Sequence, residues 1–228
     1  MLRGELFATD MVRAYQEGRK LHTARPVKPQ PTTTDFKWAE DREDIDQNKL
    51  AAYKQKAYQN VKVRAEQSRT SKHRPGDYIY CRETWAEYDR LYYRASEPDA
   101  AEPIENGDAR WFKWRPSIHM PREAARLFFR VTKVEVMRLE DVDEQFALDD
   151  GFEPNDDFND FARDQARGLR HSGIPVEVHY STALSEFKDF WEQTYGPDAR
   201  WMWVYWTEPC SREEAMCDGA MRKLQEVR

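Results

Sequence analysis

The chain has 228 residues, 39% of them hydrophobic and 34% charged, with a formal net charge of −6. That length suits one compact domain burying roughly 70% of its extended-chain surface, while the overall acidity excludes broad binding to duplex nucleic acid, which needs many phosphate neutralisations. The charge is uneven: residues 1–75 carry sixteen Lys or Arg against ten Asp or Glu and residues 76–228 twenty against thirty-two, so a local basic cleft remains compatible with the acidic total.

Near the N-terminus, Thr9 or Asp10 can cap a helix with Met11, Val12 and Tyr15 at its apolar positions, and Gly18 can stop it. LHTARPV then alternates as a short strand, which Pro26 ends. Residues 35–72 read as a polar insertion with one thin apolar stripe, Leu50, Tyr53, Ala57 and Val61, hence a surface helix without a core of its own. A turn at Pro75 and Gly76 opens a period-two strand through Tyr78, Tyr80 and Arg82, LYYRAS gives a second strand, and 96–110 is a polar loop. RLFFRVTKVEVMRL is the longest strand signal. Its phase changes at Thr132 and Lys133, which predicts a bulge.

LEDVDEQFALDDG predicts a short acidic helix stopped at Gly151. From Leu139 to Asp164 there are eleven acidic residues and one basic, but without calcium-loop spacing, so the run reads as a solvated face plus loop. ALSEFKDFWEQTYG predicts an amphipathic helix through Leu184, Phe187, Trp191 and Tyr195, with Phe190 beside them. WMWVYW is the last strand, suited to a central position, and 209–228 is a polar tail. Short antiparallel-looking strands with few helices favour an α+β fold with a small barrel, residues 1–208 forming one domain.

Three cysteines make neither a disulfide framework nor zinc spacing, so no metal and no cofactor is expected. Without a signal peptide or a run of ~20 apolar residues, the chain reads as cytoplasmic and free of the membrane.

Three stretches carry polar chemistry. Lys20 and Thr23, in GRKLHTARP, pair a hydroxyl with an amine able to accept its proton once burial or nearby cations lower its pKa. Arg25 beside them can supply that bias or hold an anion; the plain alternative is a charged strand edge. Arg82, Glu83 and Trp85 follow an apolar strand, where a charge pair orienting another base competes with an ordinary salt bridge, and Trp85 with stacking or packing. KWRPSIHMPREAAR brackets Ser117 and His119 with prolines, a rigid polar loop whose Arg115, Ser117, His119 and Arg122 can line a ligand site. Among Glu144, Asp149 and Asp150, spacing does not choose a carboxylate to orient Lys20.

The blocks MVRAYQEGRKLHTARPVKP, RPGDYIYCRETW, KWRPSIHMPREAARLFFRVTKVEVMRLEDV, EQFALDDG, FKDFWEQTYG and WMWVYW, in that order, resemble the ASCH domains of the PUA-like superfamily, particularly their phage and prophage-borne branch. The resemblance implies a small twisted β-barrel flanked by helices, with a cleft beside the first of them and the partly helical insertion outside it. It implies, too, that the cleft takes RNA or a modified nucleoside. In the N4-acetylcytidine amidohydrolases of that family a Lys, a Thr and a Glu act together, and these fall on Lys20, Thr23 and Asp150. Asp150 departs from the pattern by one methylene. Two functional readings follow. The first expectation is a binding module for single-stranded RNA or a nucleoside, using Lys20, Arg25, Arg82, Arg115 and Arg122. The alternative is hydrolysis of an acylated nucleoside by Thr23 and Lys20, with Ser117 or His119 stabilising the oxyanion. A phage structural or host-interaction protein without catalysis is the third reading. The sequence leaves the oligomeric state open.

Overall fold

The computed structural model describes residues 1–28, 30, 36–38, 51–54, 69–100, 112–171 and 178–217. Ten strands and four α-helices are described. They are β1 (Leu2–Leu6), α1 (Thr9–Gln16), β2 (His22–Pro26), β3 (Phe36–Trp38), β4 (Ala51–Lys54), β5 (Arg69–Thr70), β6 (Tyr78–Arg82), β7 (Trp85–Glu87), β8 (Leu91–Tyr93), β9 (Phe128–Arg138), α2 (Glu144–Asp149), α3 (Asp156–His171), α4 (Ala183–Tyr195) and β10 (Trp201–Cys210). A further helical stretch spans 212–217.

Five strands form the main sheet in the order β1-β6-β9-β10-β2. Its centre is the long β9–β10 antiparallel pair, the two strands with the strongest β-branched and aromatic content. Register slips between Trp206 and Thr207, where Lys133 and Val131 are the successive partners, so Thr132 is the extra residue. That bulge lets Phe129 and Val131 share a face with Val134 despite the odd spacing. β1 lies parallel to β6, whereas the other pairs are antiparallel.

The PUA-like barrel expected from the resemblance is not formed. The sheet stays open, with β1 and β2 as its two edges and no ladder between them. A side chain spans the gap instead: Arg25 on β2 donates from Nη2 to the Leu6 carbonyl on β1 at 2.9 Å, and its Nε lies 3.5 Å from Glu5 Oε2. Both edge strands are only five residues long, and β1 gives way almost at once to α1, so little backbone is left to pair.

Each sheet face has its own core. On one, α1 sets Val12 and Tyr15 against Ile79, Phe129, Val131, Trp203 and Tyr205. On the other, Phe146 of α2 and Phe187 and Trp191 of α4 cover Met202, Val204 and Ala24. The alternation along β10 follows the two-residue side-chain period of a strand covered on both faces. α2 also caps α4, since Glu144 accepts from the amides of Ala183 and Leu184 at 2.9 and 3.1 Å, a carboxylate at the positive end of a helix. This joint fixes the end of α2 relative to the aromatic side chains of α4.

Three further expectations change. The surface helix proposed within 35–72 does not hold for 51–54, which form a strand between β3 and β5; the rest of it lies outside the described residues. The last part of the acidic run, from Asp156, is helix α3 rather than loop, tied down where Asn159 exchanges hydrogen bonds with the Ser181 backbone. The region after Pro209 is not wholly a surface tail, because Ala215 is fully buried against a third cluster with Tyr78, Trp85 and Phe128.

Candidate functional site

The segment between α1 and β2 turns sharply. Gly18 adopts φ +74°, and the amides of Arg19 and Lys20 both return to the Ala14 carbonyl at the end of α1. The Leu21 amide then bonds to the Asp149 carbonyl at 2.7 Å, joining this turn to the C-terminus of α2. Gly151 makes the junction possible: its φ is +89°, and a Cβ there would stand 2.7 Å from Ala14 Cβ and 3.2 Å from Lys20 Cβ. The result is Lys20 and Asp150, 130 positions apart in the chain, placed side by side.

Lys20 Nζ lies 2.8 Å from Asp150 Oδ1 and donates to the Asp150 backbone carbonyl at 2.6 Å. Both side chains are buried, Lys20 with 1% of its side chain exposed and Asp150 with 8%. Burial lowers the Lys20 pKa; Asp150 pulls it back upward, Arg25 reinforces the lowering, and the net direction is down. Burial would raise the Asp150 carboxyl, but Lys20 and His22 outweigh it and keep it below its ordinary value. The site therefore pairs a firmly anionic carboxylate with an amine whose charge is weakened.

Thr23 and Arg25 share one face of β2. Arg25 Nη1 donates to Thr23 Oγ1 at 2.8 Å and to the Ala24 carbonyl at 2.7 Å, and its guanidinium lies 5.2 Å over the Phe7 ring. A guanidinium donating to a hydroxyl oxygen favours the deprotonated form of that hydroxyl while leaving its proton available to a base. Glu5 holds Arg25 from β1. Burial would raise the Glu5 carboxyl, yet hydrogen bonds from His73 at 2.7 Å and from Lys72, with the Arg25 charge, bring it down to about 2.

Lys20, Thr23, Arg25 and Asp150 line one cleft, with Leu6, Phe7 and Met11 on one side and Phe187, Phe190, Trp191 and Tyr195 of α4 on the other. The cleft encloses about 400 Å³, part of it open solvent. It has room for a group of a few heavy atoms. Phe190, 37% exposed, stands on the open side.

The second and third polar stretches lie elsewhere. Glu83 is fully buried and bound by both arms of Arg126, at 2.8 and 2.9 Å, so it does not orient a base. Trp85 packs in the third cluster, and Arg115 lies over its ring at 4.9 Å. Arg82 reaches the Ile118 carbonyl and anchors the proline-bracketed loop to the end of β6. That loop folds as 3₁₀ turns at Ser117–His119 and Arg122–Ala124. Arg115, Ser117, His119 and Arg122 do not line the cleft; of these, Arg115 sits 3.6 Å from Glu87 and Arg122 3.7 Å from Glu123. The oxyanion role expected of Ser117 or His119 has no geometry here.

One residue at the site escaped sequence reasoning. His22 is fully buried, its Nδ1 3.0 Å from Asp150 Oδ1, its ring between Phe146 at 4.2 Å and Trp206 at 4.7 Å. The contact is too poorly aligned to be a hydrogen bond. Among the described residues neither His22 ring nitrogen nor Asp150 Oδ1 has a hydrogen-bond partner. A polar residue two positions before Ala24, on the same alternating face of LHTARPV, was the available signal.

Among the described residues no group of three or more His, Cys, Asp or Glu could hold a metal ion, and no helix is long and apolar enough to cross a membrane. Comparison with models of known protein families, with curated proteins and with solved structures found no match.

Proposed function

We infer that the cleft is the active site of an amidohydrolase acting on a small acylated nucleoside. The observation that carries this reading is the meeting, in one buried cleft, of Thr23, a lysine of lowered pKa and a paired carboxylate. The order of residues resembling the ASCH amidohydrolases supports it, and Asp150, though shorter than the family's Glu, is within 2.8 Å of Lys20.

Thr23 Oγ attacks the acyl carbonyl carbon while neutral Lys20 accepts the hydroxyl proton. The tetrahedral oxyanion forms beside the Arg25 guanidinium, which supplies the positive potential. Collapse breaks the C–N bond. The leaving nitrogen takes the proton from Lys20, and water then hydrolyses the threonyl ester to release the acid. The acyl group sits beside Lys20 and Thr23, with the base toward Phe190 and Tyr195 of α4.

That aromatic wall favours a second reading, in which the cleft holds a nucleoside, free or at the end of a single-stranded RNA, without turnover. Incubation with N4-acetylcytidine and a panel of N-acylated nucleosides separates the two. Release of free acid, falling at least about a thousandfold in Thr23→Ala with binding retained, is the expected result. Binding of the panel without any acid release replaces hydrolysis by the second reading; neither binding nor turnover removes both.

A further inference from the structure

His22 has no part in the steps above, and its placement is costly. A fully buried imidazole whose two nitrogens lack hydrogen bonds gives up the hydration that an apolar residue would never have needed. Packing between Phe146 and Trp206 would be served as well by a leucine or phenylalanine. Only the contact with Asp150 Oδ1, at 3.0 Å, uses the nitrogen.

Asp150 Oδ1 thus has two basic groups against it, Lys20 Nζ at 2.8 Å and His22 Nδ1 at 3.0 Å, and all three side chains are buried. One carboxylate charge needs one cation. Two would leave the buried trio with net positive charge, and none would leave an unpaired anion; both are strongly disfavoured away from water. We propose that Lys20 and His22 share a single proton across the Asp150 carboxylate, His22 being the positioning residue that keeps Asp150 paired when Lys20 is the free amine. The inference rests on the hydrolase reading for its catalytic meaning. A lysine facing a carboxylate alone stays ammonium and cannot accept the Thr23 proton. With the proton on His22, the trio stays neutral and Lys20 is a base.

Among the described residues the neighbouring groups are engaged elsewhere, with the Arg25 charge alone also bearing on Lys20. From α1, Tyr15 presents its ring to Lys20 at 5.5 Å while its hydroxyl is bonded to Thr207. On β2, Arg25 faces the cleft and is balanced by Glu5. From β10, Trp206 turns its indole N–H away to Glu135, which also pairs with Lys133. At the end of α2, the Asp149 side chain is engaged by Gln145 rather than by His22.

The test is an NMR titration of the free protein, reading His22 ring ¹⁵N and Lys20 side-chain shifts, with no substrate present. In the wild type both residues are expected to report the same two coupled steps, as interacting sites do. In His22→Asn, which keeps a polar group of similar reach but cannot carry the proton, the Lys20 midpoint is expected to rise by a pH unit or more. Where the nucleoside panel is turned over, the acid limb of the kcat/KM profile moves up by the same amount, with the rate regained at higher pH. Independent single steps for His22 and Lys20 in the wild type overturn the proposal, even if the variant does not fold. So does an unchanged Lys20 midpoint in the variant, or a loss of activity equal at every pH. A failure of turnover removes the hydrolase reading but leaves the titration result standing.

Discussion

Two buried acid–base groups in this protein use similar residues and differ in every other respect. Glu83 receives two straight hydrogen bonds from Arg126, whose guanidinium also lies 4.1 Å over Tyr93. Asp150 has two basic partners, Lys20 and His22, crowded on one oxygen. The first arrangement has one stable proton distribution and acts as a strut beneath the 117–126 loop. The second sets two basic groups against one carboxylate oxygen, and it opens on a cleft. Groups whose polar needs are fully met hold a fold together, whereas those left short are where protons can move.

The largest effect that follows is on the strut. Arg126→Ala leaves Glu83 buried without its cation and is expected to cost about 3–5 kcal/mol in urea unfolding, with turnover per folded molecule unchanged. A drop in that normalised rate would mean the two groups are not separable. Next comes Glu5, a third buried carboxylate, which sits on the side of the strut. Its folded pKa of about 2 lies below the ordinary 4.5, so the unfolded chain binds the proton first. The stability it contributes is present in full above pH 4.5 and drains as pH falls toward 2, about 3 kcal/mol in all. Glu5→Gln should abolish that part of the acid-unfolding curve; an identical curve would show that His73, Lys72 and Arg25 do not hold it. The smallest effect concerns the cleft's open side. Phe190→Ala is expected to raise KM about fivefold, roughly 1 kcal/mol of aromatic contact, with kcat retained. A fall in kcat instead would place the aromatic wall in the chemistry rather than in binding.

The parts legible in the sequence were those whose signal is local. The alternation of β9 and β10, the phase change at Thr132 and the stripe of α4 each lie within one segment and survive folding unchanged. β1 was not anticipated: LRGEL carries a glycine and an exposed Leu6, and it becomes a strand only by lying parallel to β6, a partner more than seventy residues away. α3 was hidden by its acidity, with Phe158 and Phe161 left exposed. At the site, residue types named Lys20 and Thr23, and the family resemblance was needed to choose Asp150 over Asp149. The prolines bracketing the 117–120 loop were legible, and the loop folds as 3₁₀ turns. Which way it faces depends on Arg82 and on the packing of Met120 and Trp85, and no spacing in the chain records that.

Gly151 has a consequence for how this site can change. Ala14 and Lys20 leave no space for even a methyl group at that position, and its backbone is in a region other residues rarely enter. Random mutagenesis will therefore find tolerated replacements on the exposed face of α4 and few or none here, because any side chain would wedge the helix end away from the lysine. The distance between amine and carboxylate is set by a missing atom, and variants that retune it will have to move the whole α2 hinge rather than alter the pair itself.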